Sequence, residues 1–505
     1  MYRSFALISL GLTGLLQSVH AQETLESCLQ NNKIQTSFAA QNSSTWFQDS
    51  AGWQGRVRPV PSGVAFPTTV EEVRMSLKCA TDANVKVAAL NGGHSFVSYG
   101  VGGNDGALVL NMTAFNSMSY DKATGYFTVG GGAHVGPAAT FLWNNYGAHF
   151  PHVRGNWVGL AGSAIGGGLG TTSRFLGTTM NNLVSVTMAL ANGTVVEASE
   201  SVNTDLFFAI QGAGSSYGII LSLTLKTWKP TYPDVTKWTI VLPTNTTLDI
   251  GVKALLAVQE YGLAESTPDE MYIRWRLTVP VWGGSGYFYG DPIAFSSVIQ
   301  PLMDALPVGT NLTTSVADFW TMENDATGGL NATSETSNSR SFYVKSIVLT
   351  KDHPFTYENA AALYNFTSLA FNRSDISQSG LLDLWGGRAN AKLQECDTAN
   401  AQNGNLWIVR WEGDLKGSDT ARGQPTLYTQ NAIDYVKSGM QPFLAQLAAE
   451  GAQIRGYANY RDSELTPQQW SSQLYPNGNF ARLQQIKRVV DPSELFNPNA
   501  QSIPV

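Results

Sequence analysis

Asn91-Gly92-Gly93-His94-Ser95 is the stretch of sequence that decides the fold. It directly follows Val85-Lys-Val-Ala-Ala-Leu90, an apolar run that predicts a short buried strand. Two later stretches, Val129-Gly-Gly-Gly-Ala133 and the run from Val158 to Gly170, are also rich in glycine. Backbone amides without side chains can form concavities that bind a diphosphate and admit a planar ring. One such turn alone is more often an ordinary tight turn, but three in this order indicate a ligand site.

The residues around these turns predict a mixture of helices and strands. Thr69 and Glu72 form a capping-box pattern at the start of a helix whose apolar positions recur at helical spacing. Asn192-Gly193 predicts a two-residue hairpin turn. Further strands are predicted at 107–110, 126–129, 184–190 and 218–225, and helices at 137–145 and 480–489.

The organisation changes along the chain. The stretch from Gly92 to Gly218 holds 24 of the 49 glycines, which predicts unusual backbone angles or very close approaches there. Prolines at 230, 233 and 243 mark a boundary, after which the helical and strand patterns are longer. We therefore expect one lobe over 56–230, a second over 231–450 and a distinct last segment over 451–505.

Composition excludes several classes of protein. The 505 residues are 43% hydrophobic and only 14% charged, against about 25% in typical soluble domains, so the chain is neither disordered nor fibrous. The net charge of -7 comes without a basic cluster, which argues against a nucleic-acid partner.

The N-terminus has the features of a secretory signal. Arg3 precedes an apolar run from Phe5 to Leu16 and a Val-His-Ala site, so we expect residues 1–21 to be removed. No other segment is long and apolar enough to span a membrane. Asn-x-Ser/Thr sequons, which fit a glycosylated secreted protein, occur at Asn42, Asn111, Asn192, Asn245, Asn311, Asn331, Asn365 and Asn372.

The cysteines and histidines suggest no metal site. Three cysteines are too few for a thiolate cage, and in an oxidising compartment we expect Cys28 to pair with Cys79 and Cys396 to stay free. His149 and His152 are three residues apart, but no acidic residue lies near them in sequence, which predicts ordinary histidines.

The ordered motifs resemble the berberine-bridge-enzyme-like branch of the FAD-linked oxidases. The resemblance runs from about Arg56 to the C-terminus and rests on Gly92 to Ser95, Val158 to Gly170, Asp205 to Ile219 and Tyr457-Ala-Asn-Tyr-Arg-Asp462 with Phe496-Asn-Pro498. It implies an α+β, two-lobed fold: a PCMH-type FAD-binding α+β lobe over 56–230 and a substrate lobe with an antiparallel sheet covered by helices over 231–450. Residues 451–505 would return to the flavin.

The same resemblance implies the cofactor and its attachment. In the family, the histidine of the Gly-Gly-His-Ser motif carries the flavin covalently, and His94 stands at that position. Many relatives have a second covalent link through a cysteine, but Gly155 stands at that position here, so a single attachment is expected. Val158 corresponds to a position beside the oxygen-reactive carbon, where a small residue favours dioxygen as acceptor. The other residues expected to contact FAD are Asn91, Gly92, Gly93, Ser95, Gly159, Gly162, Gly166, Gly167, Gly168, Gly170, Ile219 and Asn459.

Catalysis needs a base for the proton that the substrate loses as its hydride leaves. Tyr457 and Tyr460 are the candidates, and because a tyrosine with a pKa of about 10 is a poor base alone, it needs a partner. Asp383 resembles the acidic residue that pairs with such a tyrosine in oligosaccharide-oxidising relatives. We expect Tyr457 to act with Asp383, and Tyr460 to contact the flavin; a purely structural tyrosine motif is the alternative.

These residues predict a secreted, monomeric FAD-dependent oxidase that takes a small-molecule substrate and releases hydrogen peroxide. The missing second attachment favours a secondary metabolite as substrate, and a carbohydrate or oligosaccharide is the alternative. A flavin-bearing cyclase and a binding protein with a vestigial flavin lobe also remain open.

Overall fold

Three β-sheets and the helices packed on them make up the part of the chain that the computed structural model describes. That part comprises residues 25–39, 45–277, 282–335, 338–394, 396–418, 422 and 426–505. The predicted signal segment 1–21 and the sequon at Asn42 lie outside it. The mixture of helices with separate sheets confirms the predicted α+β class.

The first sheet holds the strand that leads into the Asn91 turn. Its four strands run in the order β1-β2-β4-β3, with β2 and β3 both parallel to β4. The strands are β1 (Thr36–Ser37), β2 (Gly63–Ala65), β3 (Val87–Leu90) and β4 (Leu108–Asn111). The helix Val70–Asp82 packs on this sheet. The Thr69 side chain accepts a hydrogen bond from the Glu72 amide, as a capping box requires. The Glu72 carboxylate accepts from the Thr68 amide instead of the Thr69 amide, so only half of the predicted capping box forms.

The second sheet is antiparallel, with the order β5-β6-β9-β7-β8. The hairpin predicted at Asn192-Gly193 joins β7 to β8. The strands are β5 (Met118–Asp121), β6 (Tyr126–Gly130), β7 (Leu183–Ala189), β8 (Val195–Ser199) and β9 (Ile219–Lys226). The helices Val135–Tyr146, Leu160–Ile165 and Thr204–Ala213 contribute to the core on this sheet.

The third sheet has seven strands in the order β13-β10-β12-β11-β15-β16-β14, and every neighbouring pair is antiparallel. The strands are β10 (Asp234–Val241), β11 (Met271–Arg276), β12 (Gly283–Phe288), β13 (Asn311–Asp318), β14 (Phe342–Thr350), β15 (Ile376–Leu384) and β16 (Asn405–Leu415). One face is covered by the helices Leu248–Leu263, Phe295–Ala305, Tyr357–Tyr364 and Gln430–Ala449.

The alternation of side chains along these strands determines which residues lie on the face of the sheet that the helices leave uncovered. Trp275, Leu382 and Trp411 point into the helix-covered core. Because successive side chains of a strand point to opposite faces, their neighbours Arg274, Asp383 and Arg410 lie on the other face. That face looks towards the glycine-rich turns.

The last segment packs against the first half of the molecule. The helix Asn479–Val490 buries Leu483 and Ile486 as predicted, and the Val87 amide donates to the Leu495 carbonyl. The buried Lys487 ammonium and Asp491 carboxylate lie 2.7 Å apart at the end of that helix. The remaining helical segments are Trp46–Asp49, Tyr99–Val101, Ser173–Leu176, Met180–Asn182, Gly214–Ser216, Pro292–Ala294, Phe319–Thr327, Asn365–Ala370, Gly387–Ala391 and Pro467–Leu474.

Several predicted surface features can be located. A disulfide joins Cys28 to Cys79, as predicted, and Cys396 is exposed. Within the described ranges, none of the helices combines the length and hydrophobicity needed to cross a bilayer. The sequon asparagines with exposed side chains are Asn192, Asn245, Asn311, Asn331, Asn365 and Asn372, and Asn111 is half-buried.

Candidate active site

A cavity of about 480 Å³ lies between the glycine-rich turns and the open face of the seven-stranded sheet. Side chains from β11 and β16 and from the segment 457–461 complete its wall. It brings together most of the predicted flavin contacts, namely Asn91, Gly92, Gly93, His94, Ser95, Val158, Gly159, Gly162, Gly166 and Asn459.

Asn91 ties the three glycine-rich turns together. Its side-chain amide donates to the carbonyls of Gly131 and Ala133 at 2.8 and 3.0 Å. The Gly92 and Gly159 backbones touch: a Cβ at Gly92 would lie 2.4 Å from the Gly159 nitrogen. Glycine is therefore required at this contact for close packing.

Two observations indicate that the cavity is built for a ligand. Gly162 is exposed on its wall, and a Cβ there would have no atom of the described residues within 4 Å. The Asn91 Oδ1 atom is buried and has no hydrogen-bond partner among the described residues. A buried acceptor without a donor carries a penalty that a ligand can remove. The smooth glycine walls and this unsatisfied oxygen fit a large planar group such as a flavin.

Four predicted contacts lie behind the cavity wall instead of on it. Gly167 and Gly168 have φ values of +126° and +78° and pack against Tyr457 and Thr179. A Cβ at Gly170 would collide with the His152 carbonyl oxygen, and Ile219 is buried in the core below the first sheet. These residues shape the turn or fill the core and do not line the cavity, so their contact with flavin stays a prediction.

His94 is held by a chain of polar contacts. Its Nε2 atom lies 2.7 Å from a Glu335 carboxylate oxygen, and the other Glu335 oxygen accepts from Arg422 at 2.9 Å. Trp53 stacks on the imidazole with ring centroids 5.0 Å apart. Because Glu335 engages Nε2, the Nδ1 atom is the nitrogen available for bonding to a flavin.

His134 is a second histidine near this chain. It stacks on Trp157 with ring centroids 4.7 Å apart. Burial, together with the nearby charge of His94, lowers the pKa of His134 to about 4. His134 is therefore neutral at physiological pH.

Val158 and Gly155 lie together on the cavity wall. Val158 is half-buried, and a Cβ at Gly155 would lie 2.7 Å from its Cγ2 methyl. Position 155 offers no thiol for a second flavin attachment.

Tyr457 supports the glycine turn. Its buried hydroxyl oxygen accepts hydrogen bonds from the Gly168 and Leu169 amides, both at 2.9 Å, and from the Asn459 side chain at 3.2 Å. Burial raises the pKa of Tyr457 well above its usual value. The three N–H donors lower the pKa of Tyr457, but the effect of burial is larger, and the raised pKa makes this hydroxyl poorly suited to act as a base.

The structure does not pair Asp383 with Tyr457, so the predicted partnership is wrong. The buried Asp383 carboxylate instead accepts from Arg274 Nε and Nη2, each at 2.7 Å, and from the Tyr272 hydroxyl at 2.7 Å. Arg274 and Asp383 are directly opposite each other on β11 and β15, which explains the bidentate contact. Burial alone would raise the pKa of Asp383, but Arg274 holds it below its usual value.

Tyr460 is the tyrosine that faces the cavity among charged groups. The Arg410 guanidinium donates to its hydroxyl at 3.2 Å, and Phe96 stacks on its ring at a centroid distance of 5.0 Å. Arg410 in turn lies 3.0 Å from the buried Glu412 carboxylate. Burial alone would lower the pKa of Arg274, but Asp383, then Tyr272 and, more weakly, Tyr460 raise it above its usual value.

Sequence reasoning missed the arginines that complete this wall. Arg154, Arg274, Arg410 and Arg461 all line the cavity. The available signal is an arginine inside an apolar strand, as in Leu406-Trp-Ile-Val-Arg410-Trp, because arginine is rarely buried unless it is paired.

Comparison with known protein families agrees with this site. A family model described as an FAD binding domain matches residues 61–199, which contain the glycine-rich turns. A second model, described as berberine and berberine like, matches residues 456–504, which contain Tyr457 and Tyr460.

Full-length relatives extend the comparison. The chain is 30% identical over 490 residues to a xylooligosaccharide oxidase of Thermothelomyces thermophilus, covering 95% of this chain and 94% of that protein. It is 29% identical over 506 residues to a chitooligosaccharide oxidase of Gibberella zeae, covering 97% of each chain. The solved structure of a xylooligosaccharide oxidase from Myceliophthora thermophila C1 in complex with xylobiose superposes with a TM-score of 0.86 at 28% identity, covering 95% of this chain and 99% of that one.

Proposed function

Because this chain belongs to the berberine-bridge-enzyme-like family of FAD-linked oxidases and is therefore an FAD-linked oxidoreductase, we propose that it oxidises the reducing-end carbon of an oligosaccharide. Two relatives named as oligosaccharide oxidases match over nearly their whole length, which supports this substrate class over a secondary metabolite. In such a reaction a cyclic hemiacetal becomes a lactone, and dioxygen becomes hydrogen peroxide.

The cavity residues described above would hold FAD, with His94 as the covalent attachment. When bound, FAD would accept a hydride from the substrate carbon and pass the electrons to dioxygen. The proposal of one covalent link is supported by the available Nδ1 atom of His94 and by the glycine at position 155. Val158 supports dioxygen as the acceptor, since it leaves a small side chain on this wall.

Tyr460 is the residue that we propose as the proton acceptor. The observation that carries this role is the 3.2 Å contact between the Arg410 guanidinium and the Tyr460 hydroxyl on the cavity wall. A guanidinium at this distance stabilises the negative charge that forms when an oxygen loses its proton. Tyr457, whose hydroxyl accepts from two backbone amides, instead keeps the glycine turn in shape.

The charges around Tyr460 suit a neutral substrate. Arg274 and Arg410 each have a carboxylate partner, Asp383 and Glu412, so neither brings an unpaired positive charge to the cavity. Their remaining N–H groups can donate to sugar hydroxyls. One proton leaves the substrate hydroxyl for Tyr460, and the carbon-bound hydrogen leaves as a hydride with two electrons. When dioxygen takes up these two electrons, the proton held by Tyr460 and the hydrogen that left with the hydride become the two hydrogens of peroxide.

We also propose that the mature protein is secreted, glycosylated and monomeric. The signal-like N-terminus, the disulfide and the exposed sequon asparagines support secretion and glycosylation. N-terminal sequencing and glycosidase treatment of protein from the culture medium would test both, and light scattering would give the mass of the particle.

Stopped-flow measurement of flavin reduction tests the role of Tyr460. We expect Tyr460→Phe to slow reduction by about 10²–10⁴-fold and to remove its pH dependence, because the proton acceptor is lost. Tyr457→Phe should keep that pH dependence but lower the thermal midpoint, since two amides lose their acceptor. Tyr357→Phe removes an exposed hydroxyl bound to Asp249 and serves as the matched control. If Tyr457→Phe abolishes the pH dependence and Tyr460→Phe does not, the assignment is reversed.

Peroxide release across a panel of substrates tests the substrate class. The panel should contain xylo-, chito- and gluco-oligosaccharides together with aromatic secondary metabolites. Saturable turnover of an oligosaccharide supports the proposal, and turnover of the aromatic compounds alone contradicts it. Oxidation of a secondary metabolite is the second candidate function. It is favoured by Gly155, which provides no thiol for a second covalent link to the flavin.

A further inference from the structure

His149, His152 and Glu323 form a buried cluster just behind the active-site wall. One ligand atom from each lies within 4.8 Å of the others. All three side chains are nine-tenths or more buried, with exposures of 7%, 4% and 1%. The histidines follow the helix Val135–Tyr146, and Glu323 comes from the distant helix Phe319–Thr327. The fold therefore supplies the acidic residue that the local sequence lacks.

We propose that this cluster binds a divalent transition-metal ion, with zinc as the expected ion. Two imidazoles and one carboxylate are a ligand set that zinc commonly takes in proteins. The hydrogen-bonding roles of the three side chains are the reason for proposing an ion here.

Two hydrogen-bond acceptors face each other in the cluster. His152 Nδ1 lies 2.9 Å from the Val153 carbonyl oxygen, which can only accept, so Nδ1 carries the proton. In a neutral imidazole the other nitrogen, Nε2, then has a lone pair. That atom lies 3.6 Å from a Glu323 carboxylate oxygen, which is also an acceptor. A cation bound between the His152 nitrogen and the Glu323 oxygen would remove the repulsion between these two acceptors.

His149 supplies independent support. Its Nε2 atom is buried and has no hydrogen-bond partner among the described residues. A proton on His152 would satisfy the contact with Glu323 but would leave this third polar atom unsatisfied. A metal ion can satisfy all three groups.

The surroundings of the cluster resemble the outer shell of a metal site. The second Glu323 oxygen accepts from Thr171 at 3.1 Å and from the Tyr289 hydroxyl. Metal-bound histidines almost always donate their other N–H to a carbonyl or carboxylate, as His152 does to Val153. Both ligands are thereby held in orientation before an ion arrives.

The distances fit zinc after a small adjustment. Bond lengths of about 2.0–2.2 Å place tetrahedral ligand atoms roughly 3.3–3.5 Å apart. The separation of 3.6 Å between His152 and Glu323 is close to this, and the ligand atom of His149, which lies within 4.8 Å of the other two, has to approach by at most about 1.3–1.5 Å. The fourth position is left for a water molecule.

An ion here would act on the active site through Arg154. Arg154 is two residues from His152, lines the cavity and donates to the Tyr272 hydroxyl at 3.2 Å. Tyr272 in turn donates to Asp383. The ion would fasten the segment before the Val158 turn to the helix packed on the seven-stranded sheet, and so would hold Arg154 in place.

Metal analysis of the untagged holoenzyme tests the proposal. The protein is stripped with a chelator, loaded with zinc chloride, passed over a desalting column and analysed by mass spectrometry for metal. We expect about one zinc ion per chain in the wild type. Glu323→Gln and His149→Phe, which keep the size of each side chain, should each lower zinc content at least about tenfold. His353→Asn changes a histidine outside the cluster and should keep full zinc content.

X-ray absorption of the loaded wild type gives a second measurement that does not depend on variants. Imidazole scattering from two histidines with one oxygen ligand is expected. If both variants fail to fold, as judged by flavin absorbance and gel filtration, this spectrum decides. Wild-type zinc below about one tenth of an equivalent, equal zinc in folded Glu323→Gln, or a spectrum without imidazole would each overturn the proposal.

Discussion

Gly162 gives the most direct test that the large cavity is the flavin site. In the part of the chain that the structure describes, a Cβ at this position has nothing within 4 Å, and the residue lies in the helix Leu160–Ile165 with its open side on the cavity. In the protein without flavin, Gly162→Ala should therefore be stabilising by about 0.5–1 kcal/mol, because alanine loses less backbone entropy in a helix. Gly162→Leu adds a larger side chain to the same empty space and should exclude the cofactor.

Flavin content and stability are measured separately in this experiment. Protein-bound flavin is read from absorbance and from fluorescence of the denatured band on a gel, and the thermal midpoint is followed on flavin-free protein. For about 480 folded residues at about 2.1 cal/mol/K each, a gain of 1 kcal/mol raises the midpoint by only about 1 °C. We expect flavin content to fall from wild type through Gly162→Ala to Gly162→Leu while the midpoint stays or rises. Ala445→Leu, on an exposed helix face, should keep full flavin. Full flavin in Gly162→Leu would refute the assignment of the cavity.

Three further predictions address the contacts around the site. Asp383→Asn leaves the Arg274 guanidinium without its charged partner and should lower the free energy of unfolding by about 3–5 kcal/mol in urea titrations at neutral pH. The pKa of Asp383 is lowered in the folded protein, so the stability that the ion pair contributes is present above the unfolded pKa of about 3.9 and is lost as the pH falls through the lower folded value. The difference in unfolding free energy between variant and wild type should therefore shrink below about pH 4. A difference that does not change with pH would contradict the ion pair. Glu335→Gln cannot take a proton from His94 Nε2 and should slow covalent flavin incorporation into the flavin-free protein by about 10²-fold or more, measured as flavin in the acid-precipitated pellet; an unchanged rate would exclude Glu335 from this role. Cys28→Ala with Cys79→Ala opens a loop of 51 residues and should lower the free energy of unfolding by about 4 kcal/mol by loop entropy, which calorimetry can check.

Much of the first half of the fold could be predicted because its signals are local. The strand before Asn91, the cap at Thr69 and the hairpin at Asn192-Gly193 each depend on a few neighbouring residues. The pairing of Cys28 with Cys79, which is one of the three that three cysteines allow, was also predicted and is confirmed. The strand order of the seven-stranded sheet, in which β11 lies beside β15, depends on contacts between distant segments and has no local signal.

The site residues, too, could be predicted where the signal is local and not where it depends on distant contacts. His94 was predicted from the family resemblance, and Gly92 and Gly162 from the glycine-rich turns, which are visible in the sequence; all three line the cavity. Gly168 and Ile219 lie off the cavity wall, because a motif does not reveal which of its members face the cavity and which face Thr179 or the core. The partner of Asp383 was wrong because it is set by the register of β11 against β15, which brings Arg274 opposite it.

The buried ion pairs on the seven-stranded sheet are better explained by chemistry than by stability. Asp383 and Glu412 are only 2% and 1% exposed, and each holds an arginine whose side chain is about one-fifth exposed, at 23% for Arg274 and 18% for Arg410, where it meets the cavity. Desolvation offsets most of the attraction within such pairs, and well-packed apolar residues would often stabilise the fold as much or more. A chain that is only 14% charged therefore gains little stability from placing these four charges in its interior. What the pairs provide is two fixed guanidiniums beside Tyr460. In the reaction proposed above, their positive charge is offset for a neutral substrate, and their N–H groups remain available where the substrate oxygen would lose its proton.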